Sequence, residues 1–239
     1  MIKICIFVGY RANYSSLKSV MKSICEHPQL KLQLVLGASA VLNTYGNVQD
    51  LIIKDGFNPD YIFHNLLEGE SPAPMAKSTG LGLMDASMIF ENLQPDMLIV
   101  IGDRFEMMSV TLAAAYMNIT IVHTMGGEVT GTIDESIRHA ITKFSHIHFP
   151  ANEDSKQRII RMGEDSNFVF NVGCPRIDLV AEELNKESHD VLSDLFDTYG
   201  GVGNKFDLSK PFLLVSQHPV TTEYGNNREQ IEKTLESLD

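Results

Sequence analysis

The sequence predicts an α/β fold on a parallel sheet, with one complete Rossmann-like lobe and the opening of a second. Short runs rich in Ile, Val and Leu recur along the chain, each stopped by Gly, Asp, His or Pro. Longer segments with apolar residues at helical spacing separate them, which is the rhythm of strands joined by crossover helices. Most runs are apolar at successive positions, as strands covered by helices on both faces require.

In chain order, the first strand is Ile2–Val8. That run is too short to span a membrane and lacks a small-residue cleavage site, so it reads as a strand and not a leader. Leu17, Val20, Met21 and Ile24 share one helical stripe, in a helix that must end before Pro28. Strands are predicted at 32–36, 97–101, 119–123, 146–149 and 168–172. Helices are predicted at 79–93, 106–117 and 136–144. In the first of these, Leu81, Met84 and Met88 form the apolar stripe, while Gly80 and Gly82 weaken the first turn.

Residues 185–210 are polar and contain Gly200, Gly201 and Gly203, which reads as a linker. A further strand at 212–216 and a helix at 228–238 follow. One strand and one helix cannot close a domain. The predicted organisation is therefore a lobe over 1–184, a linker over 185–210 and the incomplete start of a second, nucleotide-binding lobe over 211–239.

Composition narrows the function. The formal net charge of −12 and the absence of a basic run oppose nucleic acid and anionic membrane surfaces as partners. Cys5, Cys25 and Cys174 are odd in number and widely spaced, with no Cys/His pattern for zinc or a disulfide framework, so a cytoplasmic protein with buried thiols is expected. No HExxH or comparable cluster organises the histidines, so no metal is expected.

Ligands of open parallel sheets bind beyond the carboxyl ends of the strands. Those positions are polar here. Arg11 follows the first strand in Gly9-Tyr10-Arg11, where it is either a phosphate contact or a solvated turn residue. Asp103 follows the 97–101 strand, either as a proton-handling carboxylate or as the cap of the next helix. The segment from His123 to His139 carries Gly126, Gly127 and Gly131, which allow close backbone approach, and Glu128. It continues into Asp134 and Arg138, and Glu135 and His139, as i, i+4 pairs. His218 follows the last predicted strand, directly before Pro219, either as a site residue or as a structural histidine.

With these residues the chain resembles the hydrolysing UDP-N-acetylglucosamine 2-epimerases of sialic and legionaminic acid biosynthesis, over essentially its whole length. The resemblance is carried by Gly9-Tyr10-Arg11-Ala12-Asn13-Tyr14, Tyr45-Gly46-Asn47 and Gly102-Asp103-Arg104-Phe105-Glu106. It continues in the run from Gly126-Gly127-Glu128-Val129-Thr130 through Asp134, Arg138 and Ala140, in Gly173-Cys174-Pro175 and in His218-Pro219-Val220-Thr221-Thr222. The 126–140 run is the most specific.

That resemblance implies two Rossmann-like lobes of the glycosyltransferase-B type, with a nucleotide sugar between them and neither NAD nor metal as cofactor. It implies proton removal at the sugar C2, anti elimination of UDP and hydration to a free manno-type sugar. Carried over by position, Asp103, Asp134 and His218 are the catalytic set. Arg11, Gly126, Gly127, Glu128 and Arg138 bind substrate, Arg11 at a phosphate. The full-length protein is expected to form a homo-oligomer. Met125 departs from the pattern, standing where many relatives carry a glutamate. Two other readings stay open: a non-hydrolysing epimerase that returns a UDP-sugar, and a binding lobe without catalysis.

Overall fold

The computed structural model describes residues 1–69, 71–185, 210–218 and 225–238. Two compact units divide the chain, Met1–Leu179 and Val180–Asp239.

The first unit is built on a six-stranded, wholly parallel sheet, β1 (Ile2–Val8), β2 (Leu30–Leu36), β3 (Tyr61–Ile62), β4 (Met97–Ile101), β5 (Thr120–Thr124) and β6 (Ile147–Phe149), in the order β3-β2-β1-β4-β5-β6. Helices α1 (Arg11–Glu26), α2 (Val48–Lys54), α3 (Ala73–Leu93), α4 (Phe105–Tyr116), α5 (Ile133–Phe144), α6 (Glu153–Arg161) and α7 (Pro175–Leu184) follow in turn. This strand order reverses between β1 and β4, so the two βα turns diverge there and leave a crevice.

Both sheet faces are buried, which explains the apolar runs. On β1, Ile4, Ile6 and Val8 pack with Leu17, Met21 and Ile24 of α1. Cys5 and Phe7 face the opposite way, into a core shared with Ile89 and Phe90 of α3 and Met107 and Val110 of α4. Burial of such a side chain contributes roughly 1.5–3 kcal/mol each.

Three expectations need correction. Leu81, Met84 and Met88 do not face the core: they are 39%, 70% and 47% exposed. The buried stripe of α3 is instead Ser78, Gly82, Ala86, Ile89 and Phe90. Small residues decide this, since a Cβ at Gly82 would lie 2.7 Å from Ser109 Oγ of α4, so the glycine lets the two helices meet.

The predicted strand at 168–172 is reduced to a single bridge between Val169 and His148. The neighbouring strand β6 is only three residues long and offers little ladder to extend.

Residues 211–218 of the second unit carry no strand, and Leu213 and Leu214 are 78% and 88% exposed. An apolar run becomes a strand only where a neighbour takes its backbone N–H and C=O groups. Helix α8 (Asn227–Glu236) forms as expected. The predicted linker lies, apart from residues 185 and 210, outside the described residues, as do 219–222.

Candidate active site

The crevice between β1 and β4 is walled by three βα turns. The first leaves β1 at Gly9, whose N–H donates to Asn13 Oδ1 at 2.9 Å, fixing a wholly buried side chain inside the first turn of α1. That turn has no acidic residue and no side-chain cap. Its leading N–H groups, which have no partner within a helix, remain available at the crevice.

The second turn leaves β4 through Gly102, at φ +78°. Asp103 does not cap α4: the helix has no side-chain cap, and the Asp103 carboxylate accepts from Arg138 Nη2. Arg104 stands over the Tyr10 ring, 4.8 Å from its centroid. Its Nε donates to Glu106 Oε2 at 3.2 Å, and its Nη2 lies 3.1 Å from Oε1. Glu106 is wholly buried, and burial pushes its carboxyl above the usual range, opposed by Arg104. A carboxylate taken out of water in this way is retained only with a cation beside it.

The third turn carries Met125 at φ +58° and Gly127 at φ +79°. Arg138, 2% exposed, reaches back from α5 to donate to Glu128 O at 2.7 Å as well as to Asp103, so one guanidinium ties two turns together. The expected Asp134–Arg138 pair is not formed because Arg138 is spent on these partners. Glu135 accepts from the N–H groups of Thr130 and Gly131, both at 2.6 Å, and its other oxygen lies 3.9 Å from His139 Nε2.

His123 is fully buried between Gly102 O at 2.9 Å and Thr142 Oγ1 at 3.2 Å. Burial pushes its pKa down to about 4, which keeps the ring neutral and the Gly102 turn anchored.

Together these turns enclose a cavity of about 250 Å³. Asp103, Glu128, Asp134 and Arg138, all predicted, line it. Gly126 and Gly127 do not. Gly126 packs on His123 and Thr142, and Gly127 against the Ser155 carbonyl, so they shape the loop behind the wall.

Arg11 is exposed beside Gly46 and is also absent from the lining. His218 belongs to the second unit, where it is exposed. Among the described residues no group of three His, Cys, Asp or Glu side chains is placed to hold a metal.

Tyr10, Arg104 and Arg176 also line the cavity; the sequence marked Arg104 as a guanidinium at a strand end but gave none of the three a role. Position after a strand marked the first two. Arg176 carried no signal beyond following Gly173-Cys174-Pro175.

The charges in the cavity differ in character. Burial, then the Asp103 charge, raise the Asp134 carboxyl above the usual range, with Arg104 and Arg138 opposing. Burial also raises the Tyr10 phenol, assisted by Asp103 and Glu106. The cavity thus holds a carboxyl raised by burial beside a carboxylate paired with arginine, two acidic groups in different electrostatic settings.

The fold defines the class: a Rossmann-like first lobe of the glycosyltransferase-B type. It is similar to a crystal structure of a UDP-N-acetylglucosamine 2-epimerase, with a TM-score of 0.71 at 20% identity, covering 81% of this chain and 54% of that one. It shares its fold, at TM-score 0.51 and 12% identity, with the lipopolysaccharide outer core galactosyltransferase WaaB, covering 72% of this chain and 45% of that one.

The family profile described as UDP-N-acetylglucosamine 2-epimerase matches residues 22–239, and the chain belongs to that family. It is 35% identical over 238 residues to the UDP-N,N'-diacetylbacillosamine 2-epimerase (hydrolyzing) of Legionella pneumophila, covering 99% of this chain and 61% of that protein. It is 32% identical to the UDP-N-acetylglucosamine 2-epimerase of Neisseria meningitidis serogroup B, covering 93% of this chain and 56% of that protein. The chain thus spans about 60% of the length of these curated relatives. Among the described residues no helix is long and apolar enough to cross a membrane.

Proposed function

We propose that this chain contributes the first lobe, residues 1–184, of a hydrolysing 2-epimerase acting on a UDP-2-acetamido sugar, either UDP-N-acetylglucosamine or UDP-N,N'-diacetylbacillosamine. A connection over 185–210 and a second lobe beginning near 211 complete the proposed organisation. The observation that carries the reading is the pair of carboxylates in one cavity at the β1/β4 switch point, Asp134 raised by burial and Asp103 fixed on Arg138. The name of the Legionella relative supports the hydrolysing chemistry.

In this reading a base takes the proton from C2 of the sugar while the C1–O bond to UDP breaks, its electrons leaving with the diphosphate. A C1=C2 alkene remains. Water then adds, its oxygen to C1 and a proton to C2 from the opposite face, giving the free manno-type sugar.

Asp134 is assigned the removal of the C2 proton, because burial and the neighbouring Asp103 charge make its carboxylate a stronger base than an ordinary aspartate, and the proton that adds to the opposite face of C2 comes from a separate donor. Asp103 is assigned to hold Arg138 and the electrostatics of the developing charge. Glu128 is assigned to bind substrate, and His218 keeps the role that the resemblance implies, a contact near the diphosphate or the leaving oxygen. Met125, on the cavity wall, has no proton to give, so removal of the C2 proton falls to Asp134.

A non-hydrolysing epimerase is the alternative, motivated by the Neisseria relative, whose name does not specify hydrolysis. NMR of the products separates the two: free sugar with UDP supports the proposal, and a UDP-sugar epimer supports the alternative. With either UDP-sugar in D₂O, deuterium should enter at C2. Normal turnover in both Asp103→Asn and Asp134→Asn would refute the assignment of roles.

A further inference from the structure

Three guanidiniums line the cavity, and they are not equivalent. Arg138 is consumed by Asp103 and Glu128 O. Arg104 is neutralised by the wholly buried Glu106. Arg176 differs from both. Its Nε and Nη2 donate to the same hydroxyl, Ser16 Oγ, at 3.0 and 2.7 Å, and among the described residues no carboxylate is paired with it.

Ser16 is fully buried, and its hydroxyl donates to Ala12 O at 3.0 Å, which turns its lone pairs toward Arg176. The start of α7 is drawn to the same helix where Ser19 Oγ donates to Pro175 O at 3.5 Å. A guanidinium held at one edge by a neutral hydroxyl keeps its full charge, and its remaining N–H groups are in a fixed fork. Arg176 is exposed on a cavity wall that also carries Asp103, Glu128 and Asp134, and among the described residues it is paired with none of them.

We infer that Arg176, positioned by Ser16, is the cation with which this lobe grips a phosphate oxygen of its nucleoside diphosphate ligand. Arg11, expected in that role, lies outside the cavity lining. Ala12 and Asn13, from the first turn of α1, line the same cavity as Arg176. The inference rests on the proposed function only for the identity of the ligand, and the charge argument stands without it.

The test is equilibrium binding of UDP and of uridine to the purified protein and to Arg176→Gln, Arg176→Lys, Ser16→Ala and Arg11→Gln, with Arg161→Gln as a control for loss of one positive charge. Loss of a charge-assisted contact weakens binding by about tenfold or more. Arg176→Gln is expected to lose that factor for UDP and nothing for uridine. Arg176→Lys, which keeps the charge but not the fork, should fall between, and Ser16→Ala should follow Arg176→Gln in direction.

In turnover assays KM should rise while kcat is retained. An unchanged UDP-to-uridine ratio in Arg176→Gln overturns the inference, as does a phosphate-specific loss in Arg11→Gln alone or an absence of UDP binding by the unmodified protein. A protein that binds UDP through Arg176 and yet releases no free sugar would sink the proposed reaction and leave this inference standing.

Discussion

Arg138 on α5 and Asp103 at the end of β4, 35 positions apart, form an ion pair in which the guanidinium is 3% exposed and the carboxylate 23%. Breaking a pair of this kind strands a buried charge. Asp103→Asn is expected to cost about 3 kcal/mol of stability, discounted for the partial exposure of the carboxylate. Urea unfolding of Asp103→Asn, Arg138→Gln and the double variant should show the double change costing less than the sum of the singles.

The pH profile of turnover should carry the signature of Asp134. Its carboxyl is raised by burial and by the Asp103 charge, so as a base it is lost when pH falls through a value above that of an ordinary aspartate. Removing the Asp103 charge lowers that value. The acid limb of kcat/KM in Asp103→Asn, measured on its residual activity, should therefore move to lower pH. A limb that stays in place would assign the titration to another group.

His123 makes the fold sensitive to acid. Its pKa falls from an ordinary 6.5 to about 4 on burial. A depressed folded-state value contributes stability that is fully present above about pH 6.5 and is lost as pH falls toward 4. The difference is on the order of 3 kcal/mol. Urea midpoints at pH 7 and pH 4.5 should differ less in His123→Gln, whose amide can still donate to Gly102 O, than in the unmodified protein.

Two glycines of the β5–α5 loop should respond differently to alanine. Both have positive φ, +79° at Gly127 and +72° at Gly131. A Cβ at Gly127 would stand 2.4 Å from Ser155 O, whereas at Gly131 nothing lies within 4 Å. Gly131→Ala should cost about 1 kcal/mol from backbone strain alone. Gly127→Ala should cost roughly 3 kcal/mol and displace the loop. Unfolding midpoints compare them directly.

Met125→Glu restores a carboxylate where the resemblance places one. The position already holds a non-glycine residue at φ +58° and lines the cavity, so the backbone need not move. Turnover should rise by roughly tenfold or more if an acid/base group is what the chain lacks. Unchanged turnover would show that Asp134 already suffices.

The sequence alone determined the alternation of strands and helices, because apolar periodicity and breakers such as Pro28 act over a few residues. It also placed Asp103 and Glu128 beyond strand ends and Asp134 and Arg138 on the helix that follows, and all four line the cavity. Only the tertiary structure decided the partners. Arg138 bonds to Asp103 and not to Asp134, since helical spacing permits a local pair but cannot exclude a distant one that is better buried.

Packing likewise settled which face of α3 turns inward, because Gly82 admits α4 where larger apolar residues could not approach as closely. Arg176 became visible only when α7 came to rest on α1 through Ser16, 160 positions away. Contacts at that separation depend on how whole elements dock, and no window of local sequence carries that information.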